Sequence, residues 1–381
     1  MSRTNKITLF SLLALITLFL FSISACADSP KDDIMNQIND EIQYFKKSLP
    51  KEIIEFFPKE IWEGDFSKLL GSDISEVSIL NLVLNYLLLG LNNALKSFSS
   101  ITVILLISSL LNALCFSKSN AVKNSFNIAS TICVSISIFK LCTSIATNTS
   151  DYLSSLSKIM ECFAPLMATL YILTGNVTTG TVASSSFVLF ISLVENFLLS
   201  FMLPIVNICI CFSIIKSIGG YFDLSGISKI LKNTFTGITV FVMSMFMFIL
   251  SCKSILSQST DSISIKTAKF AISSFIPIVG STLNDALRTI TSSISLIKNS
   301  CGIIAIIIIA IIMIPSIISL LLNKLLFSIT SSIAKCLNCN AESYVIEEAS
   351  SICGFLLALV ICTCILFIFA LTIMIKTTVV I

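Results

Sequence analysis

Histidine is absent from this chain, and charge is scarce: Asp, Glu, Lys and Arg together make up 12% of its 381 residues. Without histidine there is no imidazole general acid or base, and the commonest metal ligand is missing. Arginine occurs only at Arg3 and Arg288. The sequence also lacks a glycine-rich phosphate loop, a nucleophile beside a base partner, a basic stripe for nucleic acid and a metal-ligand cluster. The expectation is a protein that is not an enzyme, holds no cofactor or metal and binds no nucleic acid.

What is abundant is hydrocarbon. Hydrophobic residues make up 55% of the chain, with a mean hydropathy of +0.98. A water-soluble globule must present a largely charged exterior, which this composition cannot supply. Lipid is therefore the solvent for most of the chain, and the expected fold is an all-α polytopic membrane helix bundle. The fourteen cysteines sit mostly in apolar runs and read as small hydrophobes. The CLNC pair, Cys336 and Cys339, has redox or metal spacing, but one CxxC without a second pair or a histidine reads first as structural.

Arg3 and Lys6 precede the apolar run Ile7 to Ile23, and small residues follow, the pattern of a signal peptide over 1–27. Ala25, Cys26 and Ala27 mark the cleavage region. An ordinary peptidase would cut after Ala27, whereas a lipobox reading makes Cys26 a lipid-bearing terminus. Either cut leaves Asp28 onward outside the cytoplasm. Residues 28–76 carry twelve acids against six lysines, and the rest of the chain from residue 77 carries nine acids against sixteen bases. Ile34, Ile38, Ile42, Phe45 and Leu49 recur at helical spacing, so 28–78 is expected to be an acidic, amphipathic extracytoplasmic helical segment.

Membrane spans need about 20 apolar residues. Stretches of that kind lie at 99–116, 125–147, 183–202, 234–252, 302–322 and 352–375. The run 183–215 is too long for one span, so Pro204 is expected to divide or kink it. Segments 159–174 and 270–287 are short and carry Pro165 and Pro277, as re-entrant or discontinuous helices do. Lys118 and Lys123 in one connection, and Lys216, Lys229 and Lys232 against Asp223 in another, mark both as cytoplasmic, with four crossings between them.

The four prolines beyond residue 77 form two pairs. Pro165 and Pro204 are 39 apart, and Pro277 and Pro315 are 38 apart. Their contexts match: CFAPLM with SFIPIV, FMLPIV with IMIPSI. Residues 158–252 and 269–375 are read as two copies of one proline-broken unit, preceded by membrane helices over 79–157. Paired broken helices point to a central pathway. In FAISSFIPIVGSTLNDAL (270–287), Pro277 and Gly280 open the backbone, while Asn284 and Asp285 need polar company. The stretch is either a pathway-lining element or a helix hairpin whose turn reaches the headgroups. Lys140 and Glu195 also lie in apolar runs, where charge pairs or faces a cavity; a Lys140–Glu195 pair is one arrangement, and Lys140 can instead snorkel.

The stretches KFAISSFIPIVGSTLNDAL (269–287), SFMLPIVNICICFSIIKSIGGYFDLSGISKILKN (200–233) and LPKEIIEFFPKEIWEGDF (49–66), behind a signal sequence, resemble the stage III sporulation protein AE family of endospore-forming bacteria. The resemblance covers nearly the whole chain. It implies a multi-pass membrane subunit on the mother-cell side, in the outer forespore membrane. The implied assembly is a secretion-like channel that links mother cell and forespore and sustains forespore development. The implied partners are a cytoplasmic ATPase, other small membrane proteins and ring-forming extracytoplasmic proteins. The alternatives are a stand-alone secondary transporter or permease with its path at the repeat interface, and a scaffold for partner rings.

Overall fold

The computed structural model of the chain describes residue 43 and residues 76–114, 120–174, 176–219, 224–275 and 280–376. The expected signal peptide with Ala25, Cys26 and Ala27, nearly all of the acidic segment, and Pro277 lie outside those residues. Among the described residues the fold is all-α, with helices α1 Glu76–Leu114, α2 Asn120–Leu173, α3 Val177–Gly219, α4 Ser225–Phe275, α5 Gly280–Cys336 and α6 Asn340–Lys376. All six are long and apolar enough to cross a membrane, and each holds one of the six expected apolar stretches.

These helices are much longer than a span. They run to 39, 54, 43, 51, 57 and 37 residues in chain order. At about 1.5 Å per residue the shortest is about 55 Å long, against a hydrocarbon core of about 30 Å. Pro165, Pro204 and Pro315 lie inside α2, α3 and α5. Two expectations are corrected: 159–174 is part of one continuous helix, and Pro204 does not split α3. A proline deletes one helical N–H bond, but neighbouring helices hold the backbone in place: Ala164, Leu166 and Met167 beside Pro165, and Ile205 and Val206 beside Pro204, are buried. The expected four crossings between the two lysine-bearing connections reduce to two, α2 and α3. Both counts are even, so the connections still share one end of the bundle. The expected unit boundaries do not fall at helix ends, since residue 158 lies in α2 and residues 252 and 269 lie in α4.

The order is up and down. One end, termed proximal, joins α1 to α2, α3 to α4 and α5 to α6. The distal end joins α2 to α3 and α4 to α5 and carries the end of α6. The most extensive packing is between α5 and α6 and between α2 and α3, and α6 also packs on α2, α3 and α4.

Side-chain contacts fix the level of each helix. Ser154 Oγ donates to Glu195 Oε1 at 3.0 Å and registers α2 on α3. Phe190 stacks on Phe246 with centroids 3.6 Å apart, registering α3 on α4. Cys362 meets Met243 at 3.4 Å between α6 and α4, and Gly302 of α5 lies against Ile375 of α6. The stretches 183–202, 234–252, 302–322 and 352–375 therefore stand side by side and define one membrane slab. The apolar stretches of α1 and α2 lie nearer the proximal end. Ser108 of α1 reaches Glu342 in the first turn of α6 at 3.2 Å, and Thr143 of α2 meets Asn207 late in α3 at 3.4 Å. At slab level α2 presents instead residues 148–167, rich in polar side chains as far as Lys158 and apolar beyond it apart from Glu161. Packing against α3 sets that register, not α2's own hydropathy maximum.

The α2–α3 turn is tight. Asn176 N–H reaches back to the Tyr171 carbonyl at 3.0 Å and closes α2. A Cβ on Gly180 would lie 2.9 Å from the Ala168 carbonyl oxygen and 3.0 Å from Tyr171 Cβ. Gly180→Ala is thus expected to force the helices apart and cost about 2 kcal/mol, seen as a lower melting temperature in detergent. At Gly237 nothing lies within 4 Å of an added Cβ, so Gly237→Ala is the clash-free control and should gain about 0.5–1 kcal/mol from helix propensity.

Candidate functional site

The proximal end is laced to the first turns of α6. Lys232 of α4, its side chain 7% exposed, pairs with Glu348 Oε1 at 2.6 Å and donates to Ser351 Oγ at 2.6 Å. Ser228 Oγ also donates to Glu348. Lys216 of α3 reaches the Tyr344 hydroxyl, and Ser217 Oγ donates to the Ala341 carbonyl. Lys335 of α5 pairs with Glu347 at 2.7 Å, both side chains well exposed. Lys216 and Lys335 lie in the last turns of α3 and α5, and Glu342 in the first turn of α6, so these charges also suit the helix dipoles.

Between α4 and α6 this lacing borders a cavity of about 770 Å³. Its lining changes character along the helices. Lys229, Lys232 and Asn233 on α4 and Tyr344, Glu347 and Glu348 on α6 form the polar mouth; Gly237, Phe355 and Ala358 form the floor. Phe355 sits edge-on to Phe235 at 5.9 Å, and Phe235 stacks on Phe197 at 5.3 Å. Apart from Thr236, the polar lining ends at Asn233 and Ser351, where the apolar stretches 234–252 and 352–375 begin. The polar part of the cavity thus lies beyond the proximal ends of the two apolar stretches.

At the distal end a carboxylate of α4 caps α3. Asp261, buried at 3% exposure, accepts from Thr178 N–H at 3.1 Å and Thr179 N–H at 2.8 Å. These are two of the orphan donors that every helix start leaves. Lys253 Nζ donates to Ser186 Oγ at 3.1 Å nearby, and buried Lys298 of α5 lies 4.6 Å from the Tyr171 ring centroid. None of these residues stood out in the sequence. Asp261 caps a helix 82 positions away in sequence, a distance at which no local motif operates.

The residues that the sequence did single out are spread through the fold. Glu195 is half-buried on α3 and bonded to Ser154. Lys140 is exposed on α2. The antiparallel register separates the two, because Lys140 lies fourteen residues, or about 21 Å, from Ser154 along α2. Of the two arrangements open to Lys140, the pair with Glu195 is therefore not the one formed. Pro165, Pro204 and Pro315 lie in three different helices. Gly280 opens α5, with Asn284 and Asp285 in its first two turns.

The CLNC stretch closes α5. Asn338 takes the left-handed conformation, φ 57°, and Cys339 N–H reaches back to the Ala334 carbonyl at 2.9 Å, the helix ending in which asparagine can replace glycine. Cys336 is exposed and Cys339 buried, and both are free thiols. Burial pushes the Cys339 thiol above its ordinary range, with Glu342 adding to the rise. Cys336 is expected to react with a water-soluble maleimide at neutral pH at least about tenfold faster than Cys339, because only thiolate reacts. Mass spectrometry of Cys336→Ser and Cys339→Ser chains reads the difference.

Six helices long and apolar enough to cross a membrane, and a cavity whose lining switches from polar to apolar along α4 and α6, define a multi-pass α-helical membrane protein. The family model for stage III sporulation protein AE matches residues 65–378. The chain belongs to that family, which places it in sporulation. A curated relative, stage III sporulation protein AE of Bacillus subtilis (strain 168), is 24% identical over 161 residues, covering 41% of this chain and 39% of the relative. No solved structure matches the chain.

Proposed function

We propose that the chain is a membrane core subunit of the channel or secretion-like complex that joins mother cell and forespore, required for forespore development. Membership of a sporulation family carries this reading. Helices that outrun the bilayer at both ends support it, because they give a membrane subunit surfaces for partners on both sides. The partners proposed are a cytoplasmic ATPase, other stage III proteins and ring-forming extracytoplasmic proteins. The proximal end, with Lys118, Lys123, Lys216, Lys229 and Lys232 at its connections, is assigned to the mother-cell cytoplasm. The acidic N-terminal segment and the end of α6 are then assigned to the space outside, between the two membranes.

The duplication reads best on α3–α4 and α5–α6. Each pair starts with a long helix bearing a proline, Pro204 or Pro315, and turns at the proximal end. The stand-alone permease reading drew on paired broken helices, and α2, α3 and α5 run through their prolines unbroken.

The test is deletion in the sporulating host, complemented by a tagged chain. The expected outcome is arrest of forespore development, with the tagged chain at the engulfed forespore and co-purifying with an ATPase and ring proteins. Normal spores from the deletion strain, or substrate transport by the chain alone in liposomes, would overturn the reading.

A further inference from the structure

We propose that the cavity between α4 and α6 holds an anionic phospholipid of the proximal leaflet, its phosphate at Lys229 and an acyl chain along Gly237, Phe355 and Ala358. Such a site requires a membrane around the bundle and no protein partner. At about 770 Å³ the cavity falls within the range of about 300–1,000 Å³ usual for small-molecule sites. Its two ends suit different chemistry. Lys229, Lys232, Asn233, Glu347 and Glu348 line the mouth, and Gly237, Phe355 and Ala358 line the floor. The change falls at the start of the apolar stretch on both helices, so a molecule that fills the cavity carries its polar part at headgroup level and its apolar part in the hydrocarbon.

The charge of the mouth selects an anion. Glu348 is held by Lys232 at 2.6 Å and Glu347 by Lys335 at 2.7 Å, so these four groups cancel. Lys229 is exposed and has no ion-pair partner among the described residues. Lys324 of α5, likewise unpaired among them, ends at the cavity wall: its Nζ lies 3.4 Å from where a Cβ on Gly354 would stand, and Gly354 lines the cavity. Two positive groups are left over, and a phosphodiester supplies the opposite charge together with acceptors for both.

The floor suits a chain. At Gly237 nothing lies within 4 Å of an added Cβ, so the groove is open there. One turn further, Val240 and Phe241 of α4 and Ile361 of α6 continue the walls at steps of three and four, and all three are exposed. Between them Cys362 meets Met243 at 3.4 Å and closes α6 on α4. The floor therefore leads outward onto apolar surface at slab depth, where lipid is the solvent, and not into the bundle.

The test adds phosphatidylglycerol or phosphatidylethanolamine at matched concentration to the full chain in mild detergent and counts bound lipid by native mass spectrometry. Phosphatidylglycerol is expected to bind one to a chain and at least about tenfold more tightly than phosphatidylethanolamine. Lys229→Gln should loosen it about fivefold. Gly237→Leu, which fills the floor and leaves every charge in place, should loosen it at least about tenfold, with an unchanged or higher melting temperature in the absence of lipid. In vesicles of the two lipids, phosphatidylglycerol with a photoactivatable acyl chain should mark the peptides holding Gly237 and Phe355. Equal binding of the two lipids, indifferent to Lys229→Gln, would mean bulk lipid only and overturn the site. Displacement of the lipid by soluble glycerol phosphate at equal concentration, with no effect of Gly237→Leu, would make it a free-phosphate site and overturn the lipid. Marks at Phe241 without any at Phe355 would show that protein covers the cavity, and would overturn it as well.

Discussion

Glu348→Ala is expected to lower stability by about 3 kcal/mol, the cost of stranding one partner of a buried ion pair. Lys232 would be left with its side chain 7% exposed and only the Ser351 bond at 2.6 Å. Ser228 would lose the same carboxylate. Lys232→Met alone should cost a similar amount, because Glu348 would then be the stranded charge. Combining Lys232→Met with Glu348→Leu should recover most of the loss, since replacing both members by apolar groups removes the desolvation cost along with the attraction. Melting temperatures of the three variants in one detergent check this. A double variant as unstable as either single would mean that the pair itself, and not the avoidance of an unpaired charge, holds α4 to α6.

Asp261→Ala is expected to cost about 3 kcal/mol, because it removes the acceptor of two N–H groups at the start of α3 and leaves them without replacement. The site is 3% exposed, so water is poorly placed to substitute. Asp261→Asn keeps one acceptor oxygen and should lose about half as much. Hydrogen exchange at Thr178 and Thr179 separates this account from a general weakening: both amides should exchange faster in Asp261→Ala, while those around Val206 stay slow.

The helical, membrane-embedded character was legible because composition and apolar run length dictate it. Six stretches of about 20 apolar residues each found a helix. The ends of those helices were not legible, because apolar runs mark what meets lipid, while the helices extend through polar stretches such as Thr147 to Lys158. The prolines misled for a related reason. Pro165 and Pro204 weaken a helix locally, yet the buried side chains beside them hold it in place. Of the candidate residues, Glu195 did find a polar contact, in Ser154 and not in Lys140, because register between α2 and α3 is a tertiary property. Lys232 and Glu348 sit in the early turns of α4 and α6, and Asp261 in the polar last third of α4, where charge is ordinary in a sequence. Only the packing of α4 on α6 and on α3 gives them partners.

The most direct test of the six-helix topology is a set of full-length chains with a reporter inserted at one connection each, after residues 118, 221, 278 or 338, or fused after residue 379, using one reporter active only in the cytoplasm and one active only outside. Cytoplasmic signals are expected at 118, 221 and 338 and outside signals at 278 and 379. Opposite signals among 118, 221 and 338, or matching signals at 338 and 379, would contradict it.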